Sequence, residues 1–150
     1  MKRKKRGNMF EKLKEEIKQH EKWRSSIYTC PAGKLSIGYG RNLEDVGISK
    51  AEGEMLFDND FNNAVEKAER LGYWKSLPQN VKEVVIDMIF NMGYGSFLGF
   101  KKFRKALLHQ DWQTASEEIK DSNYYRDLAT HLRAEKNRLK LLGSNTNQQV

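Results

Sequence analysis

The sequence predicts an α+β fold that is mostly helical and divided into two lobes. Three observations support this prediction. An amphipathic helical segment is followed directly by a short hairpin, a capping box opens a long second helix, and a third helical segment is apolar almost all round. Together they predict a small helix-plus-hairpin lobe, a long inter-lobe helix and a larger all-helical lobe.

The small lobe is predicted from residues 9–21 and 27–41. The first range favours an amphipathic helix, because apolar side chains recur at helical spacing on one face, at Met9, Phe10, Leu13 and Ile17. The second range favours a β-hairpin with its turn at residues 31–34, where the sequence reads Pro-Ala-Gly-Lys. Residues 42–47 are expected to form a loop.

The inter-lobe helix is predicted to begin after Ser49. Ser49 and Glu52 have the spacing of a capping box, in which each side chain bonds a free backbone amide of the first turn. An apolar stripe then continues to about residue 71, through Met55, Leu56, Ala64, Val65, Ala68 and Leu71. A helix of roughly 20 residues is about 30 Å long, which is enough to link two lobes.

The larger lobe is predicted to contain a central helix and three shorter ones. Pro78 suits the first turn of the central helix, whose apolar residues are Val81, Val84, Val85, Ile86, Met88, Ile89, Phe90 and Met92. Helices apolar on all sides belong inside a core. Glycines then loosen the chain, and three residues are typical helix N-caps: Asp111, Ser122 and Thr130. The last helix is expected to end at Gly143.

The length of 150 residues fits a single domain, which we place at residues 9–143. Residues 1–8 and 144–150 are expected to be a basic disordered tail and a frayed polar tail. The formal net charge is +7, and residues 2–6 supply five of these charges. The basic tail suits nucleic acid, an acidic cell-envelope surface, or solvent alone.

A single cysteine excludes an intramolecular disulfide, which suits synthesis in a reducing cytoplasm. The basic start resembles the first part of a signal peptide, but charged residues interrupt the apolar segment that should follow. No stretch approaches transmembrane length. The sequence therefore predicts a protein without a signal peptide or a membrane span.

Glu21, Cys30 and Ser36 are the candidate catalytic residues. Glycoside hydrolysis needs an acid that protonates the leaving oxygen and a second group that assists water or acts as nucleophile. Glu21 ends a helix, and the hairpin that follows brings a thiol and a hydroxyl towards it. Taken singly, they also suit an exposed helical glutamate, a small buried thiol and a surface serine. The nearby glycines, Gly38 and Gly40, permit close approach of the backbone.

The spacing of these three residues resembles the catalytic segment of the phage T4-type lysozymes, a family of glycoside hydrolases. Cysteine replaces the usual aspartate at the second position, and serine replaces threonine at the third. The likeness continues in ordered blocks at residues 47–49, 51–64, 89–93, 122–125 and 132–134. It implies a lysozyme-like fold over about residues 9–143.

The resemblance also implies roles for individual residues. Glu21 matches the catalytic acid, Cys30 the group that assists the attacking water, and Ser36 the hydroxyl that contacts this water. Arg133 matches an arginine that pairs with the catalytic glutamate across the cleft. The expected sugar-binding residues are Asn42, Phe90, Asn91 and Arg133. Arg41 stands where many members have histidine, so an ion pair made by that histidine is not expected in the same form.

The function implied is that of an endolysin, a muramidase that hydrolyses β-1,4 bonds between N-acetylmuramic acid and N-acetylglucosamine in bacterial peptidoglycan. Members generally invert the anomeric centre. The expected partner is the peptidoglycan glycan strand, the expected state is a monomer, and neither a metal nor a cofactor is expected. The protein is expected in the host bacterial cytoplasm, and then in the periplasm or cell wall after a separate pore or lysis event.

Two alternatives belong to other classes. A lysozyme fold without strong catalysis could serve as a binding module or a structural part of a virion, because neither Cys30 nor Ser36 is obligatorily charged. A nucleic-acid-binding protein would use residues 2–6 together with a second basic cluster, at Lys101, Lys102, Arg104 and Lys105. No recognition helix, zinc or RNA-binding motif accompanies these charges.

Overall fold

The computed structural model describes residues 9–143. Over this range the protein is mostly helical with one small antiparallel sheet, which confirms the predicted fold class. The chain divides into two compact units, one ending at Glu54 and the other beginning at Met55. Both predicted tails lie outside the described residues, and the single-domain boundaries stay a prediction.

The smaller unit contains one helix and a three-stranded sheet. Helix α1 (Glu11–Glu21) ends at the predicted residue. Strands β1 (Arg24–Thr29), β2 (Leu35–Gly38) and β3 (Arg41–Asn42) pair in this order as an antiparallel sheet. The hairpin and its turn are confirmed, although β1 begins three residues earlier than predicted. Strand β3 was not predicted, and it includes Asn42, which was expected to begin a loop. Two residues carry no alternation by which a strand could be recognised.

Helix α1 is amphipathic, but none of its residues is buried in the structure. The large apolar side chains of its predicted face are about half exposed or more, at Met9, Phe10, Leu13 and Ile17. Surface ion pairs between neighbouring turns join Lys14 to Glu11 and Lys18 to Glu15, each at 3.0 Å. These exposed pairs contribute little to stability.

The second helix, α2 (Lys50–Glu69), begins with the predicted capping box. The Glu52 amide donates to Ser49 Oγ at 3.1 Å, and the Ser49 amide donates to Glu52 Oε1 at 3.0 Å. Two amides that the helix leaves without partners are thereby bonded, which fixes its start. The boundary between the two units falls within this helix.

From residue 55 to residue 143, all regular secondary structure of the larger unit is helical. After a 3₁₀ turn at Trp74–Ser76, its helices are α3 (Gln79–Met92), α4 (Tyr94–Leu98), α5 (Lys101–Leu108), α6 (Trp112–Lys120), α7 (Asn123–Arg126) and α8 (His131–Leu142). Asp111 and Ser122 accept from the amides of Thr114 and Tyr125, as N-caps should. Thr130 precedes α8 as predicted, but its hydroxyl donates to the Tyr124 carbonyl instead of capping the helix.

The core of the larger unit forms around α3. Val81, Val84, Val85 and Met88 are fully buried there, as the apolar sequence predicted. Helices α4 and α5 were not predicted, because the glycines between residues 93 and 99 suggested an irregular segment. Burial overrides that local signal, since Phe97 and Phe103 lie in the same core with rings 6.2 Å apart. No helix between residues 9 and 143 is long and apolar enough to cross a membrane.

Candidate active site

Glu21 lies at the C-terminal end of α1, where the chain turns sharply. Lys22 follows with φ of 59°, a conformation that residues with side chains rarely adopt. The Glu21 carboxylate rests on the backbone of Gly40, because a Cβ placed there would come within 2.9 Å of Oε2. Gly40 itself has φ of 80°. The positive φ favours glycine at residue 40, and a side chain there would displace the Glu21 carboxylate from its present position.

Cys30 follows β1 at the start of the hairpin turn. Its amide donates to the Lys34 carbonyl at 2.9 Å, and its carbonyl accepts from Gly33 at 2.8 Å, so the turn holds the residue at both ends. The thiol is partly buried. The hydrogen bond from the Lys34 backbone is the largest influence on the pKa of Cys30 and lowers it. Burial opposes this with a smaller effect, and the Ala32 backbone and the Ser36 hydroxyl lower the pKa further. The turn therefore favours the thiolate, the form that acts as a base or nucleophile.

Ser36 is the most buried of the described residues of the smaller unit, with 2% of its surface exposed. Its hydroxyl lies 3.3 Å from the Lys34 carbonyl and also interacts with the Cys30 thiol. In the sheet it stands directly opposite Asn42 on one side and Tyr28 on the other. Residues opposite each other share a face of the sheet, so these three side chains form one row.

Tyr28 is a candidate that the sequence analysis missed. Its hydroxyl lies 3.9 Å from the Cβ position at Gly40, the same point that Glu21 approaches. The Arg24 guanidinium lies 4.5 Å from the Tyr28 ring centroid, a distance at which a cation and an aromatic ring attract each other. The sequence could have indicated Tyr28, because it lies two residues before Cys30. Alternate residues of a strand point to the same face, so Tyr28 and Cys30 are expected on one side.

Asn42 forms part of a tight local turn. Its Oδ1 accepts from the amides of Glu44 and Asp45 at 3.1 and 3.0 Å, and its Nδ2 donates to the Asp45 carboxylate at 3.0 Å. These bonds are typical of an asparagine that stabilises a turn. One N–H of its amide is left by these bonds for another acceptor, and its predicted contact with sugar stays a prediction.

Arg41 pairs with Glu52 inside the smaller unit. Its Nη1 lies 2.7 Å from Glu52 Oε2 and donates to the Gly47 carbonyl at 3.1 Å. The hydrogen bond from Arg41 and then those from Ser49 lower the pKa of Glu52 to about 2. Arg41 thus joins β3 to the start of α2.

The larger unit contains a cavity of about 540 Å³ between α2, α3 and α8. Phe57, Phe61 and Phe90 form an aromatic wall, with the Phe57 ring centroid 6.0 and 5.5 Å from the other two. Arg133 also lines the cavity, whereas Asn91 is exposed beside it and is not part of its lining. The structure therefore brings Phe90 and Arg133 to one cavity but leaves Asn91 outside it.

Arg133 is held by Asp87, which the sequence analysis did not single out. Its Nε and Nη2 donate to the two Asp87 oxygens at 2.9 and 2.7 Å. Asn137 donates to the same carboxylate at 2.8 Å and to the Tyr124 hydroxyl at 3.1 Å. Burial alone would raise the pKa of Asp87, but the bonds from Arg133 and Asn137 together lower it. The predicted pairing of Arg133 with Glu21 stays a prediction.

The second basic cluster is smaller than the sequence indicated. Lys101, Lys102 and Lys105 are exposed on α5, but Arg104 is half-buried and donates to the Leu98 carbonyl at 3.0 Å. Across residues 9–143, no three side chains of histidine, cysteine, aspartate or glutamate are grouped to hold a metal ion.

Comparison with known proteins identifies the family. Residues 18–138 match the family model described as phage lysozyme. Two proteins of Dictyostelium discoideum are similar to the chain. Probable T4-type lysozyme 2 is 25% identical over 146 residues, covering 77% of this chain and 86% of the relative. Probable T4-type lysozyme 1 is 31% identical over 81 residues, covering 51% of this chain and 48% of the relative.

The family match includes all of the smaller unit's candidate residues and most of the larger unit. It agrees with a helical fold that carries a small antiparallel sheet, and with the resemblance drawn from Glu21, Cys30 and Ser36. Membership of this family supports a muramidase type of function and implies peptidoglycan as substrate. The chain belongs to the phage lysozyme family.

Proposed function

We propose that this protein is an endolysin that hydrolyses the β-1,4 bonds between N-acetylmuramic acid and N-acetylglucosamine in peptidoglycan. The observation that carries the proposal is the placement of Glu21 on the Gly40 backbone, in the unit that also holds Cys30 and Ser36. An acid and a potential thiolate base thus come from a single helix–hairpin segment. This is the pair of groups that glycoside hydrolysis requires.

Glu21 is proposed as the general acid. It gives its proton to the glycosidic oxygen as the bond to the anomeric carbon breaks, and the developing oxocarbenium charge lies on the sugar that is left. Glu21 is exposed, so it regains its proton from solvent after each turnover. Because proton donation contributes typically about 10²- to 10⁴-fold to rate, this residue should have the largest single effect on activity.

Cys30 is proposed as the group that assists water. As a thiolate it accepts a proton from the water whose oxygen forms the new bond to the anomeric carbon, and the anomeric centre is inverted. The Ser36 hydroxyl, which interacts with the thiol, is proposed to orient this water. The net reaction consumes one water and produces two shorter glycan strands, so it needs no further reactant.

The sugar-binding residues are proposed to be Asn42, Phe90, Asn91 and Arg133. Support is strongest for Phe90 and Arg133, because they line one cavity with an aromatic wall and a cation. Aromatic rings beside a few placed polar groups are typical of ligand sites. Asn42 and Asn91 are supported only by the resemblance to the family.

The biological setting is also a proposal. An endolysin would accumulate in the host bacterial cytoplasm and reach the wall through a separate pore or after lysis. Because two similar proteins come from Dictyostelium discoideum, membership of the family does not by itself identify a phage source. Binding to an acidic envelope through the basic residues 2–6 is a further part of the proposal.

The decisive experiment is product analysis on purified peptidoglycan. Borohydride reduction of the digest should reveal new N-acetylmuramic acid reducing ends, as expected for a muramidase. Glu21→Gln should reduce their release by about 10³-fold. Glu16→Gln, which makes the same change at an exposed position on the same helix, should retain the activity. Equal release by wild type and Glu21→Gln would contradict the proposed acid.

The same experiment distinguishes the proposed muramidase from the principal alternative. A catalytically weak lysozyme fold that serves as a binding or structural protein would sediment with purified peptidoglycan and release no reducing ends. New N-acetylglucosamine reducing ends would instead indicate hydrolysis of the other β-1,4 bond. Either result would contradict the proposed muramidase.

A further inference from the structure

Two exposed aromatic rings lie together in the smaller unit, one of them just after helix α1. Trp23 is 62% exposed and Tyr39 is 45% exposed. Their ring centroids are 5.1 Å apart with an angle of 53° between the planes. Because each ring keeps much of its surface in solvent, the pair is an aromatic surface available for contact. We name it the Trp23–Tyr39 platform.

Backbone geometry holds this platform in place. Lys22, with φ of 59°, lies between Glu21 and Trp23 and turns the tryptophan towards the sheet. Gly38 has φ of 70°, and its Cβ position lies 3.5 Å from Trp23 Cζ3, an ordinary van der Waals distance, so the indole lies against this end of β2. Rare conformations of this kind persist only where the surroundings enforce them, and they concentrate at functional sites.

The platform adjoins the candidate acid along one short piece of chain. Trp23 contacts Gly38, Glu21 rests on Gly40, and Tyr39 lies between the two glycines. Gly38 and Gly40 can be at most about 7 Å apart, because an extended chain advances about 3.3–3.6 Å per residue. This is shorter than two linked sugar rings. A glycan with its scissile bond at Glu21 would therefore have a neighbouring sugar within reach of the platform.

We propose that the Trp23–Tyr39 platform is a saccharide-binding subsite for the glycan strand beside the scissile bond. Pyranose rings present a face of C–H groups that packs against aromatic rings, while the indole N–H and the phenol can bond sugar hydroxyls. The inference rests on the proposed function, because it assigns another part of the same substrate to residues next to Glu21. It adds two residues that bind substrate without taking part in proton transfer.

The first test is the dependence of the initial rate on the concentration of purified peptidoglycan. Trp23→Ala and Tyr39→Ala should each raise KM about five- to tenfold, since one aromatic contact is worth about that much in affinity. Their kcat should remain within about twofold of wild type. Trp23→Phe and Tyr39→Phe retain a ring and should recover most of the affinity. Ile27→Ala removes another exposed apolar side chain of the same unit and should leave KM unchanged.

The second test measures binding without cleavage. Sedimentation with purified peptidoglycan compares Glu21→Gln with the double variants Glu21→Gln/Trp23→Ala and Glu21→Gln/Ile27→Ala. Weaker binding of the tryptophan variant alone supports the inference, even if wild type proves to have no hydrolytic activity. Equal binding of all three, or a wild-type KM for both alanine variants, overturns the inference. The second of these results leaves the proposed muramidase intact.

Discussion

Two carboxylates of this protein are held in opposite ways. Asp87, in the larger unit, accepts three hydrogen bonds from the side chains of Arg133 and Asn137. Glu21, in the smaller unit, is exposed and placed by backbone geometry against Gly40. The Asp87 carboxylate is engaged by cationic and amide donors, which stabilise its ionised form. A side-chain network thus holds the Asp87 charge in the larger unit, whereas backbone geometry positions the proposed acid in the smaller unit.

Among the variants that test this comparison, the largest effect is expected from filling the space that the Glu21 carboxylate occupies. Gly40→Ala should reduce activity on peptidoglycan by about 10²-fold, because its Cβ would displace the Glu21 carboxylate. A shift of about 1 Å in a catalytic group can cost this much in rate. It should also destabilise the fold by about 1–2 kcal/mol, because residue 40 has positive φ. Initial rates and chemical denaturation of the same preparation measure both effects.

Gly47→Ala is the matched control. Gly47 has φ of 65°, also in the left-handed region, but a Cβ there meets no atom within 4 Å. Both variants should therefore lose similar stability, while only Gly40→Ala loses most of its activity. A comparable loss of activity in both would show that backbone strain alone disturbs the site, and the proposed placement of Glu21 by residue 40 would be wrong.

The next effect tests the structural carboxylate. Asp87→Ala should lower the free energy of unfolding by about 1–3 kcal/mol, because it leaves the donors of Arg133 and Asn137 without their shared acceptor. Asp121→Ala removes a carboxylate bonded to Arg126 that is 82% exposed, and should cost less than about 1 kcal/mol. Denaturant unfolding of both variants gives the comparison. Equal losses would contradict a special role for the Asp87 network.

The sequence predicted local features better than tertiary ones. The capping box at Ser49 and Glu52 and the end of α1 at Glu21 depend on neighbouring residues, and the structure confirms both. The pairing of Asp87 with Arg133 joins residues 46 positions apart. Nothing local marks such a pair, so it could not be predicted. Helices α4 and α5 were missed for a related reason, because core burial overrides the glycines around them.

The candidate site shows the same division. Glu21, Cys30 and Ser36 could be proposed because one short segment carries all three with the family's spacing. Tyr28 was missed, although it is in that segment, because its importance arises from the fold of the backbone at Gly40. That fold depends on positive φ angles, which a glycine permits but does not require.

A smaller effect is expected from replacing the Cys30 thiol in the smaller unit. Cys30→Asp should remain active, and the ratio of its kcat/KM to that of wild type should be highest at acid pH. The wild-type base becomes active as pH rises through the lowered pKa of the Cys30 thiol, whereas an aspartate is ionised above about 4. A ratio independent of pH would contradict Cys30 as the base.

The smallest expected effect concerns Glu52, a carboxylate of the smaller unit that is held by side chains as Asp87 is. Its pKa is lowered to about 2, chiefly by the hydrogen bond from Arg41. A carboxyl group with a lowered folded pKa stabilises the fold above its unfolded pKa of about 4.3, and this contribution disappears as pH falls towards about 2. Glu52→Gln should therefore lower Tm modestly at pH 7, and the difference from wild type should shrink through this acid window.

Glu54→Gln makes the same change in an exposed pair with Lys50, and its smaller difference should show no such trend. A constant difference between wild type and Glu52→Gln at all pH values would mean that the Arg41 pair does not stabilise the fold through charge.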